Sequence, residues 1–306
     1  MIKIGAMYMG GDFTPKTFGR AAETAGFDSL WAGDHVLHYV DGIATLACFA
    51  GCTDTIALGT SVIVAPFRPP AVIAKGLITA AWIAGRQIIA GIGPGGDVAK
   101  EFDVTGADFK SRGAYTNEAL EVMKLLWSGE KVSFAGRWSN FTDVRMLRAP
   151  TPQEAAKVLT PQIWIGGRSD ASLKRTVRHG AGYLPYLISP AQLKERVSRL
   201  RELADEAGRP FEDIAIGCTS FLIPAASRAE AVAIGHPRVG FNFVTPENMS
   251  SYYVLGNKEE CIEQINAYLE AGATHMVLGC HGGQERQLET YLEAMAEILP
   301  AIRGQA

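Results

Sequence analysis

Three short stretches of the 306-residue chain carry residue types that can do chemistry. The first is Asp34-His35, a carboxylate beside an imidazole. Histidine there can hydrogen-bond a ring or move a proton near neutral pH. A structural use is also open, with Asp34 capping the next segment and His35 satisfying it. The second is Gly91-Ile92-Gly93-Pro94-Gly95-Gly96, which matches G-x-G-x-x-G letter for letter. In a dinucleotide-binding domain that pattern opens the first unit, and an acid follows about 20 residues later. Asp103 and Asp108 are too near to be that acid. The same glycines suit a turn needing positive φ, or backbone N–H groups brought against a phosphate. The third is Gly166-Gly167-Arg168-Ser169, where glycines, a guanidinium and a hydroxyl precede a helical segment. Exposed N–H groups at a helix start, with Arg168 and Ser169 as added donors, attract anions.

Other candidates fall away. His35 and His38 have only Asp41 as a nearby third ligand, so no metal is expected. Cys48 and Cys52, four apart, read as one face of a buried helix. There is no G-x-S-x-G elbow for hydrolase chemistry. Trp127, Trp138 and Trp164 read as core or hairpin packing.

The elements that must hold these residues follow from periodicity. Residues 54–96 read as strand, helix, strand and glycine loop, a βαβ unit with parallel strands. Pro69 and Pro70 suit the helix start, and Gly85 its end. Eight strands, starting near Lys3, Asp28, Ile56, Gln87, Gln162, Gly182, Ile214 and His275, are each followed by helical sequence. Eight βα units in a chain of this length predict an α/β fold, a (β/α)8 TIM barrel. Residues 1–306 are expected to form a single domain with insertions near 131–161 and 224–256. The first insertion contains a hairpin over 131–134 and 138–144, followed by a loop over 148–161. The second contains a helix over 227–234 and a short strand over 241–244. Residues 100–107 read as irregular, and 56–64 as one continuous strand. In such a barrel chemistry collects at the C-terminal strand ends. These lie at Met7 and Tyr8, Asp34 and His35, 61–64, 93–96, 166–169, 183–186, 219–221 and 279–281.

Composition narrows the function. Nearly half the residues are hydrophobic, a fifth are charged, and the net charge is −3. Without a basic excess, nucleic acid and membrane surfaces are poor partners. No apolar run is long enough to span a bilayer, and Met1-Ile2-Lys3-Ile4-Gly5 enters a strand at once, unlike a signal peptide. Five scattered cysteines, an odd number, suggest reduced thiols and a cytoplasmic protein.

Several of these pieces, in order over roughly residues 1–185, together resemble the bacterial luciferase-like monooxygenases, and within them the coenzyme F420-dependent (deazaflavin) oxidoreductases. They are Leu30-Trp31-Ala32-Gly33-Asp34-His35, Ile56-Ala57-Leu58-Gly59-Thr60-Ser61-Val62, Arg68-Pro69-Pro70-Ala71-Val72-Ile73-Ala74-Lys75, and Gly93-Pro94-Gly95-Gly96 with Glu101-Phe102. Leu125-Leu126-Trp127-Ser128-Gly129 and Ile163-Trp164-Ile165-Gly166-Gly167-Arg168-Ser169 complete the set. The resemblance implies a flavin or deazaflavin at the barrel mouth. It places His35 beside the ring as acid/base or ring-polarising group, with Asp34 orienting it. It implies a bulge with a non-proline cis peptide at Ser61-Val62 behind the ring. Gly93, Pro94, Gly95, Gly96, Gly166, Gly167, Arg168 and Ser169 would grip the ribityl and phosphate, with Met7 also on the cofactor's side. Two departures stand out: Ala81 and a single Gly85 replace an acid and two glycines, and Gly96 stands where the sugar-phosphate-oxidising branch has a catalytic glutamate. The expected reaction is hydride transfer between coenzyme F420 and an unidentified small-molecule substrate. The alternatives are an FMN-dependent monooxygenase, a non-catalytic flavin-binding homologue and, from the literal glycine pattern, a nicotinamide dehydrogenase. A homodimer or larger homo-oligomer is expected, and residues 224–256 are expected to wall the substrate.

Overall fold

Aliphatic and β-branched runs make the strands, and turn residues separate most of them from the helices that follow. The computed structural model describes residues 2–11, 13–238, 243–280 and 287–304. In chain order the strands are β1 (Lys3–Tyr8), β2 (Ser29–Ala32), β3 (Ala57–Thr60), β4 (Ile63–Val64), β5 (Ile88–Gly93), β6 (Lys131–Ala135), β7 (Asn140–Arg145), β8 (Gln162–Gly166), β9 (Gly182–Leu184), β10 (Ala215–Pro224), β11 (Val254–Gly256) and β12 (His275–Cys280). The helices are α1 (Pro15–Thr24), α2 (Gly42–Cys52), α3 (Pro70–Ala84), α4 (Ala99–Thr105), α5 (Arg112–Trp127), α6 (Pro152–Ala155), α7 (Asp170–His179), α8 (Pro190–Glu206), α9 (Arg228–Gly235), α10 (Lys258–Glu270) and α11 (Gln287–Gly304). The start of α3 carries Pro70, and Gly85 at φ 63° ends it. Ser189 with Gln192, and Asn257 with Glu260, form capping boxes on α8 and α10.

Strands β1, β2, β3, β5, β8, β9, β10 and β12 pair in parallel around a closed circuit, with β9 returning to β10 and β12 to β1. This is the expected (β/α)8 barrel. Residues 56–64 depart from expectation. Gly59 lies opposite Ile89 and Ile63 opposite Ile92, so the strand bulges between them and splits into β3 and β4. Residues 100–107, read as irregular, are mostly α4, and α6 lies within the expected loop over 148–161. Strand β11 pairs with the C-terminal end of β10, beyond the reach of β9, unforeseen in a stretch without clear period. The short strand expected over 241–244 lies partly outside the described residues, and Phe243 and Val244 are not in a strand. Strands β6 and β7 form the expected antiparallel hairpin.

Two apolar clusters result. The larger fills the space between barrel and helices, with Ile4, Phe18, Leu30, Leu58, Ile78 and Met123 among its members. The smaller fills the barrel interior and includes Met7, Trp31, Trp164, Phe221 and Val277. Inside, two indoles do most of the filling, with ring centroids 5.6 Å apart. Each lies across neighbouring strands that lack a side chain at that level. A Cβ at Gly59 would stand 2.6 Å from the Trp31 ring, and one at Gly182 2.5 Å from that of Trp164. Gly59→Ala therefore overpacks a buried ring and is expected to destabilise the fold by about 1–3 kcal/mol. Urea unfolding measures this; an unchanged midpoint would contradict the packing.

Candidate active site

Residues from the expected strand ends come together at the barrel mouth. At the end of β2, Asp34 and His35 diverge. The Asp34 side chain is fully buried and accepts hydrogen bonds from Gly42 N (2.9 Å) at the start of α2 and Val64 N (3.1 Å) of β4. It also receives both Arg68 terminal nitrogens, each at 2.8 Å. Arg68 reaches Asp41 as well, at 2.7 Å. The two carboxylates outweigh the burial of Arg68 and raise its pKa further. The expectation that Asp34 orients His35 is therefore corrected: its oxygens are committed to two backbone amides and a guanidinium.

The partner of His35 is Glu101 on α4. Nδ1 lies 3.1 and 3.0 Å from its two oxygens. Oε1 also accepts Val36 N at 2.8 Å and Leu37 N at 3.0 Å. The Glu101 side chain is 3% exposed, that of His35 26%. Burial pushes the Glu101 pKa up, but the Leu37 N–H, the charge of His35 and the Val36 N–H more than offset it and hold it below the usual glutamate range. Tyr39 and His38 flank the imidazole, with ring centroids at 5.2 and 6.4 Å. In the sequence Glu101 carried no signal as a site residue beyond its place in a family pattern beside Phe102.

The Ser61-Val62 peptide is cis. The bulge turns the Val62 methyls over β5 and β8: a Cβ at Gly93 would lie 2.7 Å from them, and one at Gly166 3.0 Å. Ser61 Oγ lies 2.9 Å from Thr219 Oγ1, tying this wall to β10. Met7 is buried beneath the mouth at 2% exposure, and Met9 shares its face one step higher.

The two glycine loops sit side by side. Gly95 (φ 67°) and Gly96 (φ 133°) hold the left-handed backbone that glycine alone adopts freely. Gly93 and Pro94 lead into them from β5, and Asp97 follows. Across from them, Gly167-Arg168-Ser169 leads into α7. Arg168 contacts Asp97 (3.3 Å) and Leu187 O (3.3 Å), and lies over Tyr186 and Phe243. Ser169 N-caps α7 with no side-chain capping bond, leaving its hydroxyl to Ser172 Oγ at 3.3 Å. A polar, glycine-lined cradle at a helix N-terminus beside an apolar wall has the donor set for a planar ring with a phosphorylated tail. Near the end of β10, Phe221 meets Tyr253 with ring centroids 5.2 Å apart and Phe243 meets Tyr252 at 5.5 Å, three of the four rings coming from the second insertion. His281 lies outside the described residues.

Residues 16–239 match the family model described as luciferase-like monooxygenase. The F420-dependent glucose-6-phosphate dehydrogenase of Amycolatopsis mediterranei is 26% identical, with 99% of each chain aligned. Among solved structures, an F420-dependent secondary alcohol dehydrogenase in complex with an F420-acetone adduct superposes with TM-score 0.85 at 21% identity, over 98% of this chain and 99% of that one. The oxygenating constituent of 3,6-diketocamphane monooxygenase from Pseudomonas putida, in complex with FMN, superposes with TM-score 0.75 at 17% identity, over 97% and 96% of the two chains. These similarities of fold reach the whole barrel.

Removing one partner from a buried ion pair leaves an uncompensated charge. Arg68→Ala is expected to destabilise the protein by about 3–5 kcal/mol, while Arg68→Lys loses less because it keeps the charge. Chemical denaturation of both variants checks this; an Arg68→Ala loss below about 1 kcal/mol, the range of exposed pairs, would contradict the buried-pair geometry.

Proposed function

The chain belongs to the luciferase-like monooxygenase family, and from that premise we propose that it is an oxidoreductase moving a hydride between coenzyme F420 and a small organic substrate. The observation that carries this reading is His35 past the end of β2, its Nδ1 held by Glu101 of the α4 segment that follows the glycine loop. Curated relatives named F420-dependent dehydrogenases, aligned end to end, support it. Ser61 and Val62 would back the ring. Gly93, Pro94, Gly95, Gly96, Gly166, Gly167, Arg168 and Ser169 would hold the phosphorylated tail, with Met7 in the floor beneath. When bound, a deazaflavin supplies the two-electron hydride acceptor or donor. The chain's own contribution is binding, exclusion of water by the apolar wall, and a proton acceptor or donor at His35. Asp34 acts in this reading by holding the end of β2 in place.

The sugar phosphate in the relatives' name is not carried over. Gly96 offers no acid where that branch has its glutamate, so a substrate of another class is proposed, walled by the aromatic residues of 224–256. The apolar wall and phosphate cradle also suit FMN, the cofactor bound in the monooxygenase neighbour. Titration of purified protein with F420 and with FMN, followed by fluorescence, separates the two. The expected outcome is F420 binding tighter than FMN by at least roughly tenfold, or about 1.4 kcal/mol. Tighter FMN binding with oxygen-dependent turnover overturns the deazaflavin reading.

Among the described residues no helix is long and apolar enough to cross a membrane, and all five cysteines are free thiols, which suits a cytoplasmic enzyme. A homodimer is also proposed. Helices α2 and α3 pack side by side and are apolar on their outer faces as well as their inner ones. Val72, Trp82 and Ile83 stand exposed there, α2 carries no charge, and α3 carries only Lys75. A largely apolar face with a single charge suits a second copy of the chain about a two-fold axis. Sedimentation analysis should give a dimer for the natural protein and a monomer for Val72→Glu/Trp82→Glu. A monomeric natural protein, or a double variant that stays dimeric, rejects this face.

A further inference from the structure

We propose that Glu101 is a positioning residue for proton transfer: its carboxylate fixes the His35 ring with hydrogen on Nδ1 and presents Nε2 as the atom that exchanges the proton. The inference rests on the oxidoreductase reading for its chemistry, and on the Glu101–His35 geometry alone for the state of the ring.

An ionised carboxylate only accepts hydrogen bonds. Both Glu101 oxygens lie within 3.1 Å of Nδ1, so the hydrogen of a neutral ring sits on Nδ1 and the lone pair on Nε2. Burial works against ionisation of Glu101, but its N–H donors and His35 outweigh it. The carboxylate has little freedom to turn away. Oε1 is pinned by Val36 N and Leu37 N. The helix beneath is anchored by Phe102, which meets Phe67 and Phe109 edge-on at 4.9 and 5.0 Å. Asp34 is no substitute, because Arg68, Gly42 N and Val64 N take its oxygens. The other titratable rings beside His35 are His38 and Tyr39.

The consequence for a carbinol substrate is a balanced step. A deazaflavin held in the glycine cradle would accept the C–H electron pair as hydride. The O–H bond breaks with its proton moving to Nε2, and a C=O double bond forms. The imidazolium that results faces a carboxylate already in place, which favours charge there without rearrangement. In the reverse direction the same nitrogen returns the proton.

Glu101→Gln tests this with little change of shape. Its amide oxygen can still accept Val36 N and Leu37 N, while its NH2 donates to Nδ1 and moves the ring hydrogen to Nε2. An amide in place of the carboxylate gives the wrong tautomer in Ser-His-Asp triads by the same logic. The first readout is 15N NMR of histidine-labelled protein without cofactor, with the His35 signal assigned by its loss in His35→Ala. The natural protein should show hydrogen on Nδ1 and Glu101→Gln hydrogen on Nε2, with near-UV circular dichroism unchanged. The second readout is turnover with F420. Glu101→Gln should lower kcat roughly 100-fold, in the range of a lost general base, displace the limb of the kcat–pH profile that reports His35, and leave F420 binding within about twofold. Glu101→Asp, which keeps the charge, should recover part of kcat. Natural protein with hydrogen on Nε2, or a Glu101→Gln variant with undiminished kcat and an unmoved profile, overturns the proposal. Absence of F420 turnover in the natural protein sinks the oxidoreductase reading instead, and the NMR result then decides the Glu101 assignment alone.

Discussion

A carboxylate withdrawn from water has to be met on every side, and at Asp34 that requirement joins four parts of the barrel. The end of β2 supplies the acid, α2 and β4 supply backbone donors, and Arg68, just ahead of α3, supplies the countercharge. An unmet buried charge is far costlier than an exposed ion pair is useful. The bulge before Ile63 brings Val64 N to within 3.1 Å of Asp34, and it also turns Val62 into the barrel. The wall of the proposed cofactor site and the anchor of the strand that carries His35 therefore share one piece of backbone.

Below that level the interior depends on exchange of volume between strands. Trp31 and Trp164 occupy space that Gly5, Gly59, Gly182 and Gly217 leave vacant. The same device continues upward with a smaller side chain, since Val62 lies over Gly93 and Gly166. Glycines at strand ends thus serve two purposes at once. They let a neighbouring side chain cross the barrel, and they leave backbone exposed where a phosphorylated ligand can approach. This resolves the ambiguity of Gly91-Ile92-Gly93-Pro94-Gly95-Gly96: Gly91 and Gly93 answer to packing against Thr60 and Val62, Gly95 and Gly96 to positive φ.

The barrel was legible in the sequence because its signals are local. Strand runs, the proline start at Pro69-Pro70 and the stop at Gly85 each act within a few residues, and all eight barrel strands fall where periodicity put them. The strand-end rule then collected the mouth residues before any contact was known. The broken third strand was not legible from periodicity, because Ile56 to Val64 has no apolar–polar alternation for a bulge to interrupt; only the family pattern pointed to it. Strand β11 escaped because three residues at the edge of a sheet are too few to show a period. Partnerships across long separations were invisible for a different reason. Arg68 is 34 positions from Asp34 and Glu101 is 66 from His35, and only the side-by-side pairing of β2, β3, β4 and β5 brings either pair together.

The misread pairing of Asp34 with His35 has a geometric root. Adjacent residues continuing the line of a strand send their side chains to opposite faces, so neighbours in sequence are poorly placed to bond each other there. Asp34 turns outward, toward α2 and Arg68. His35 turns to the mouth, where the next chain to pass is the α4 segment that follows the glycine loop of β5. Two carboxylates thus divide between two tasks. The one beside the histidine in sequence closes the structure, and the one remote in sequence is left to govern the ring. A charge already neutralised by a guanidinium and two amides has little left to offer an imidazole, whereas Glu101, facing only N–H donors and the ring itself, keeps its charge directed at Nδ1. That difference in surroundings, rather than the identity of the acids, separates the structural carboxylate from the one placed to act through His35.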